Sequence, residues 1–306
     1  MSGRKVPRIT NLWSKVEDEE NGAWLSKVTI ESTKAYSYEA TSLENGIMIR
    51  GKGVVINMPE GIIGVHDGLL REVNIKHDDN DYATMEIIQE YPAEFRLAAV
   101  EGFPFRLEAA FDRSYLRGLL GGKKIVVDPG HGGSDKGGKG PVSLLEKNVV
   151  VPIAKNLEET LLRAGADVLL TRRTDQDLSR EERYNLAVQA GADAYVGIHT
   201  HASADSSVGG AASLYNPFNQ QSVTLARFIQ EGLVQKIKVA DRGITSLPEL
   251  SALGEIPAVE AEVVAITNLV EEVFLRGLTI QERAAEGIFN GLIKYFALNG
   301  CTLKVS

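Results

Sequence analysis

The stretch Ile125-Val126-Val127-Asp128-Pro129-Gly130-His131-Gly132-Gly133 is a short apolar run that breaks into a glycine-rich loop holding one imidazole. An apolar run of this length ahead of turn residues reads as a buried strand. Beyond the loop, Val149, Val150, Ile153, Leu157 and Leu161 recur at helical spacing, so the strand leads into an amphipathic helix. The alternation continues with strands at 167–170, 194–198, 211–215 and 258–263. Helices are expected at 181–190, 225–234 and 279–296. This order predicts an α/β domain over 124–300, built on a mixed, mostly parallel sheet with helices on both faces. Ligands of such sheets bind outside the C-terminal ends of the strands. His131 and His199 both fall there.

Upstream the period changes to two. Val28 and Ile30 alternate with Lys27 and Thr29; Ala83, Met85 and Ile87 with Thr84 and Glu86; Phe103, Phe105, Leu107, Ala109 and Phe111 with Arg106 and Glu108. Turn signals such as Glu44-Asn45-Gly46, Pro59-Glu60-Gly61 and Asp78-Asp79-Asn80-Asp81 separate the runs. A small all-β sandwich is therefore expected over 23–111. Residues 1–22 read as a polar leader and 112–123 as a linker with room for a short helix.

At 306 residues, with 43% hydrophobic and 24% charged content, the chain has ample core for two domains. Its net charge of -8, without a dense basic run, argues against nucleic acid as a partner. No apolar run approaches the roughly 20 residues of a membrane span. The N-terminus lacks a signal-peptide core, which fits a chain that stays in the cytoplasm or one whose export segment has been removed. Cys301 is the single cysteine, so no internal disulfide exists. It reads as a packed or tail residue rather than a nucleophile, because no histidine lies near it in sequence.

Three separated stretches offer metal-type donors: His131 in its glycine loop, Glu146 in Leu144-Leu145-Glu146-Lys147-Asn148, and His199 in Ile198-His199-Thr200-His201. Pro257-Ala258-Val259-Glu260-Ala261-Glu262 adds carboxylates further on. Two imidazoles and one carboxylate would leave a tetrahedral zinc one open position, the ligand count of a hydrolytic site. Each piece also has a plain structural alternative: a hydrogen-bonded histidine, or a glutamate serving the dipole of a helix start. Gly133 through Gly138-Lys139 begins like a phosphate-binding loop, but Gly140 stands where that motif needs Ser or Thr.

Taken together these motifs resemble a zinc-dependent N-acetylmuramoyl-L-alanine amidase of the amidase-3 family. The landmarks follow in family order over residues 124–297: Val127 to Gly133, Glu146, Thr171-Arg172, Arg183, Ile198-His199, Asp241-Arg242-Gly243, Pro257 to Glu262, and Asn268. The resemblance implies one zinc ion held by His131, Glu146 and His199. It implies peptidoglycan as substrate and a place in the cell envelope or outside the cell. The bond cut would be the amide between N-acetylmuramic acid and the stem peptide's L-alanine, by zinc-activated water. Glu262 takes the catalytic-glutamate position of the family motif. Glu260 is its rival, since residues two apart in a strand share a face and periodicity cannot separate them.

Asp128 is expected to orient His131 or its loop, and Arg183 to serve structure or the substrate groove. The N-terminal strands are more loosely similar to the amidase N-terminal (AMIN) domain that localises such enzymes on the wall. Two positions depart from the family. Val264-Ala265 replaces Gly-Phe after the catalytic glutamate, and His201 replaces an asparagine. His201 is expected to contact substrate or a neighbour rather than the ion. The other readings are a zinc peptidase or deacylase on another amide, and a homologue that binds wall without cutting it.

Overall fold

The computed structural model describes residues 6–20, 22–78 and 81–302 of the chain. Residues 1–5 and 21 of the expected leader, positions 79 and 80 of the acidic turn, and the side chain of Cys301 lie outside the described residues. The chain divides into two units, Met1–Leu116 and Arg117–Ser306.

Among the described residues up to Asp112, the regular elements of the first unit are all strands. They comprise β1 (Arg8–Asp18), β2 (Trp24–Ser32), β3 (Ser37–Leu43), β4 (Gly46–Lys52), β5 (Val55–Ile56), β6 (Gly61–Gly64), β7 (Leu70–Asp78), β8 (Tyr82–Gln89), β9 (Phe95–Val100) and β10 (Phe105–Asp112). They form two five-stranded sheets, ordered β5-β1-β2-β10-β9 and β3-β4-β8-β7-β6. The period-two residues Val28, Ile30, Ala83, Met85, Ile87, Phe105, Leu107, Ala109 and Phe111 are all buried. Phe103, expected among them, stands outside β10 and is 88% exposed.

Residues 8–18 were expected in the polar leader; they form β1 instead, paired antiparallel with β2. A register shift between Ile9 and Asn11 puts odd-numbered Ile9 and even-numbered Leu12 both on the buried side. A bulge of this kind breaks the alternation by which a strand is read.

The second unit contains α1 (Ser114–Leu120, begun in the first), β11 (Lys124–Pro129), α2 (Glu146–Arg163), β12 (Asp167–Leu170), α3 (Arg180–Ala190) and β13 (Ala194–His201). It continues with β14 (Ala211–Tyr215), α4 (Gln220–Ile237), β15 (Asp241–Ser246), a 3-10 helix (Pro248–Leu253), β16 (Ala258–Ala265), α5 (Leu269–Leu275) and α6 (Leu278–Thr302). The six strands order as β12-β11-β13-β16-β14-β15. Neighbours run parallel except β14 against β16. Ile125, Val126, Val127, Tyr195, Val196 and Ile198 are fully buried, as strands covered on both faces require.

Val126 and Tyr195 are register partners on one face. There they join Tyr184 and Ala187 of α3 and Leu250 and Leu253 of the 3-10 helix in one apolar cluster. Helix α6 packs against both α2 and α4. Strand β13 runs three residues past its expected end at Ile198, because His199 and His201 still pair with β16, opposite Glu262 and Ala265. His199 therefore lies inside a strand, which fixes its backbone. The 3-10 helix, β15 and α5 carry no strong periodicity and were not expected. Among the described residues no helix is long and apolar enough to cross a membrane.

Candidate metal centre

The C-terminal ends of β11, β13 and β16 lie side by side, with Asp128 opposite Gly197, His199 opposite Glu262 and Gly197 opposite Glu260. His131 follows β11 and Glu146 opens α2. One donor atom from each of His131, Glu146 and His199 lies within 4.8 Å of the other two. Nε2 of His131 is 3.3 Å from Oε2 of Glu146, and Nδ1 of His199 is 3.3 Å from Oε1. Bonds of about 2.0–2.1 Å in a tetrahedron place neighbouring ligand atoms about 3.3 Å apart. The donor chemistry and the spacing both fit zinc.

Each donor is aimed by its neighbours. Glu146 is 2% exposed, and each of its oxygens accepts one main-chain N–H at 2.7 Å, from Gly138 and from Thr200. Nδ1 of His131 sits 2.8 Å from Asp135 Oδ2, and Asp135 Oδ1 accepts from the Gly137 N–H. That pairing assigns the His131 proton to Nδ1 and leaves Nε2 as the donor toward a metal. The carboxylate at Nδ1 of His131 is therefore Asp135, while Asp128 meets the loop through Arg183, which bonds both Asp128 and the loop carbonyls. Asp128 is buried and accepts from Thr171, Tyr195 and Arg183.

Two buried guanidinium groups fix the loop through its carbonyl oxygens. Arg172 donates to Pro129 O at 2.8 Å and to Gly130 O at 2.6 Å. Arg183 donates to Pro129 O at 2.9 Å and to His131 O at 2.6 Å. His131 itself stands at φ 59°, left-handed backbone that is uncommon outside glycine, and the second bond helps to hold it there. A Cβ on Gly130 would lie 2.2 Å from Cε1 of His199. The bare backbone is thus the seat of that ring. Gly130→Ala should weaken divalent-metal affinity by about 10- to 100-fold, the usual cost of disturbing a ligand's support. Calorimetric titration checks this, and unchanged affinity would refute the seat.

Electrostatics bind the three donors to one another. Burial raises the Glu146 carboxyl, but hydrogen bonds from His131 and His199 outweigh it and hold the group far below the usual carboxylate range. Burial pulls His199 down, yet the Glu260 and Glu146 carboxylates lift it to about 9. His131 is likewise raised, its burial overcome by Glu146.

The rival carboxylates of β16 occupy different surroundings. Glu260 is buried, with Oε2 3.9 Å from Nε2 of His199 and Oε1 3.5 Å from the Tyr184 hydroxyl. It stands behind the His199 ring, on the nitrogen away from Glu146. Glu262 is half-buried; its Oε2 accepts from Arg242 Nη1 at 2.9 Å, and its Oε1 lies 3.2 Å from His201 Nδ1. His201 is thus beside the β16 carboxylate and outside the three-donor group. The interval from Ala202 to Ala261 holds β14, α4, β15 and the 3-10 helix.

Helix α5 adds two carboxylates that were not expected at the site. Glu272, fully buried, accepts from the N–H groups of Val142 and Leu144, just before Glu146. Glu271 accepts from Gly210 and from Ala265 at the end of β16.

Residues 125–294 match the profile of the N-acetylmuramoyl-L-alanine amidase family, amidase-3. The chain is 34% identical over 184 residues to N-acetylmuramoyl-L-alanine amidase LytC of Bacillus subtilis, an alignment covering 59% of this chain and 37% of LytC. It is 32% identical over 201 residues to the probable cell wall amidase LytH of Staphylococcus epidermidis, covering 65% of this chain and 67% of LytH. The crystal structure of an N-acetylmuramoyl-L-alanine amidase from Clostridium difficile 630 superimposes with a TM-score of 0.56 at 31% identity, over 57% of this chain and 97% of that one. The chain thus spans well under half the length of LytC.

Proposed function

The chain belongs to the N-acetylmuramoyl-L-alanine amidase family, and on that premise we propose that it is a zinc-dependent peptidoglycan hydrolase. It would cut the amide between N-acetylmuramic acid and L-alanine of the stem peptide, and act in the cell envelope. The observation that carries the reading is the meeting of His131, Glu146 and His199 at adjoining strand ends, each already oriented.

These three residues would hold the ion. When bound, zinc supplies a Lewis acid that polarises the scissile carbonyl and makes a water nucleophilic near neutral pH. Glu262 is the general base: it takes a proton from the attacking water and returns it to the nitrogen of the departing L-alanine. Its place opposite His199 in the register supports this role. Glu146, pinned by two main-chain N–H groups, stays ionised throughout. Arg183 and Arg172 hold the His131 loop.

The test is hydrolysis of purified wall, read as new L-alanine amino ends, with and without a chelator. Cleavage of other acyl amides but not of wall would point to a peptidase or deacylase. Zinc and wall binding without cleavage would point to a binding homologue.

Metal uptake should depend on pH. A ligand imidazole must be neutral, and His199 in the metal-free protein keeps its proton up to about pH 9. Apparent zinc affinity therefore rises with pH and levels off above that point, and binding at neutral pH releases a proton. Calorimetry in buffers of different ionisation enthalpy measures the release; none at neutral pH would contradict the site's electrostatics.

For the first unit we propose a β-sandwich of the amidase N-terminal type that keeps the enzyme on the wall. Its two antiparallel-rich sheets and its position ahead of the amidase unit support this. Sedimentation of residues 1–116 with purified wall tests it, and recovery in the supernatant would refute it.

A further inference from the structure

Arg242 lies on β15, two strands away from the β16 carboxylate it contacts, and three features bring it there. Between Ala211 and Ser213 of β14 the ladder advances two residues, while β15 advances three, from Asp241 to Ile244. The extra residue is a bulge at Arg242-Gly243, with Gly243 at φ 76°. Bulges re-aim side chains, and glycine takes this backbone without strain. Asp241 braces the turn: its Oδ1 accepts from the Gly243 N–H at 2.8 Å and from Gln230 Nε2 at 2.6 Å. The strand in between carries small side chains, Ala211 and Ala212, and Ala212 is the direct register partner of Glu262. A long guanidinium can therefore cross β14 and reach the carboxylate.

There Nη1 donates to Glu262 Oε2 at 2.9 Å, and Nη2 lies 3.1 Å from Nδ1 of His201. We propose that Arg242 is the positioning residue of the catalytic base: it holds the Glu262 carboxylate in its reacting orientation through a fork that also engages His201. This rests on the reading of Glu262 as the base. A charge-assisted bond with both partners half-buried fixes orientation more firmly than a neutral one. His201 presents one nitrogen, Nδ1, to both groups; accepting there from the guanidinium, it has no proton left to donate to Glu262, so Arg242 is the donor that orients the carboxylate.

The test is a double-mutant cycle on the full chain with purified wall as substrate. Arg242→Gln should lower kcat by about 30-fold with KM within about twofold and zinc content unchanged. In a Glu262→Gln background the same substitution should cost nothing further. Arg242→Lys, which keeps the charge but loses the fork, should recover part of kcat, and it carries the test if the glutamine variant does not fold. An equal loss in both backgrounds, or a loss confined to KM or zinc content, overturns the proposal. If Glu262→Gln alone stays active, the assignment of the base fails first, and the cycle shows which of the two was wrong.

Discussion

Glu262→Gln should keep its zinc and lose wall hydrolysis by about 10³-fold, within the range general acid–base groups contribute. The carboxylate has no part in the three-donor group, so its removal leaves the metal in place. Glutamine preserves shape and can still face Arg242 through its carbonyl oxygen, so the fold should persist. What it cannot do is accept a proton from water at neutral pH. A loss of that size corresponds to about 4 kcal/mol of transition-state stabilisation. Glu260→Gln provides the contrast. That side chain faces the far nitrogen of His199 and the Tyr184 hydroxyl. Its substitution should act on metal affinity before it acts on turnover. The measurements are zinc content by elemental analysis and amino-end release from wall. Full activity in Glu262→Gln, with activity abolished in Glu260→Gln, would exchange the two roles.

Glu146→Ala should abolish both zinc retention and cleavage, and should also lower stability. The group serves as a donor and as an acceptor for two main-chain amides, those of Gly138 and Thr200. Leaving those amides unpaired in a buried place costs about 1–3 kcal/mol each. The change also removes the negative charge that raises both imidazoles. The metal-free variant should therefore show His131 and His199 titrating lower than in the metal-free wild type, by NMR. Stoichiometric zinc in purified Glu146→Ala would remove this residue from the centre.

Much of the second unit was legible because its apolar runs and helical spacings are long and regular. Val126 and Val127, Ile153 and Leu157, and Tyr195 and Val196 each follow one period without interruption. The three donors were visible because each falls at or near the C-terminal end of a strand or the start of a helix, although His199 proves to lie two residues inside the end of β13. Harder to see were residues whose role depends on a break in pattern. Leu12 was lost to a bulge in β1; Arg242 stood out as part of a landmark, but its reach to Glu262 was hidden by a bulge in an edge strand of weak hydrophobicity. Asp135 sits in an irregular loop, where no period says which way a side chain points. Nothing in the spacing separates its reach to His131 from that of Asp128. The choice between Glu260 and Glu262 was closed to periodicity for a simpler reason: both lie on the same face of β16.

The two carboxylates of α5 have a mechanical consequence. One grips the turn leading into Glu146, and the other grips the last residue of the strand that bears Glu262. The proposed ligand and the proposed base are thus moored to a single post. If that post tilts, both are carried the same way, and the gap between them changes less than either position does.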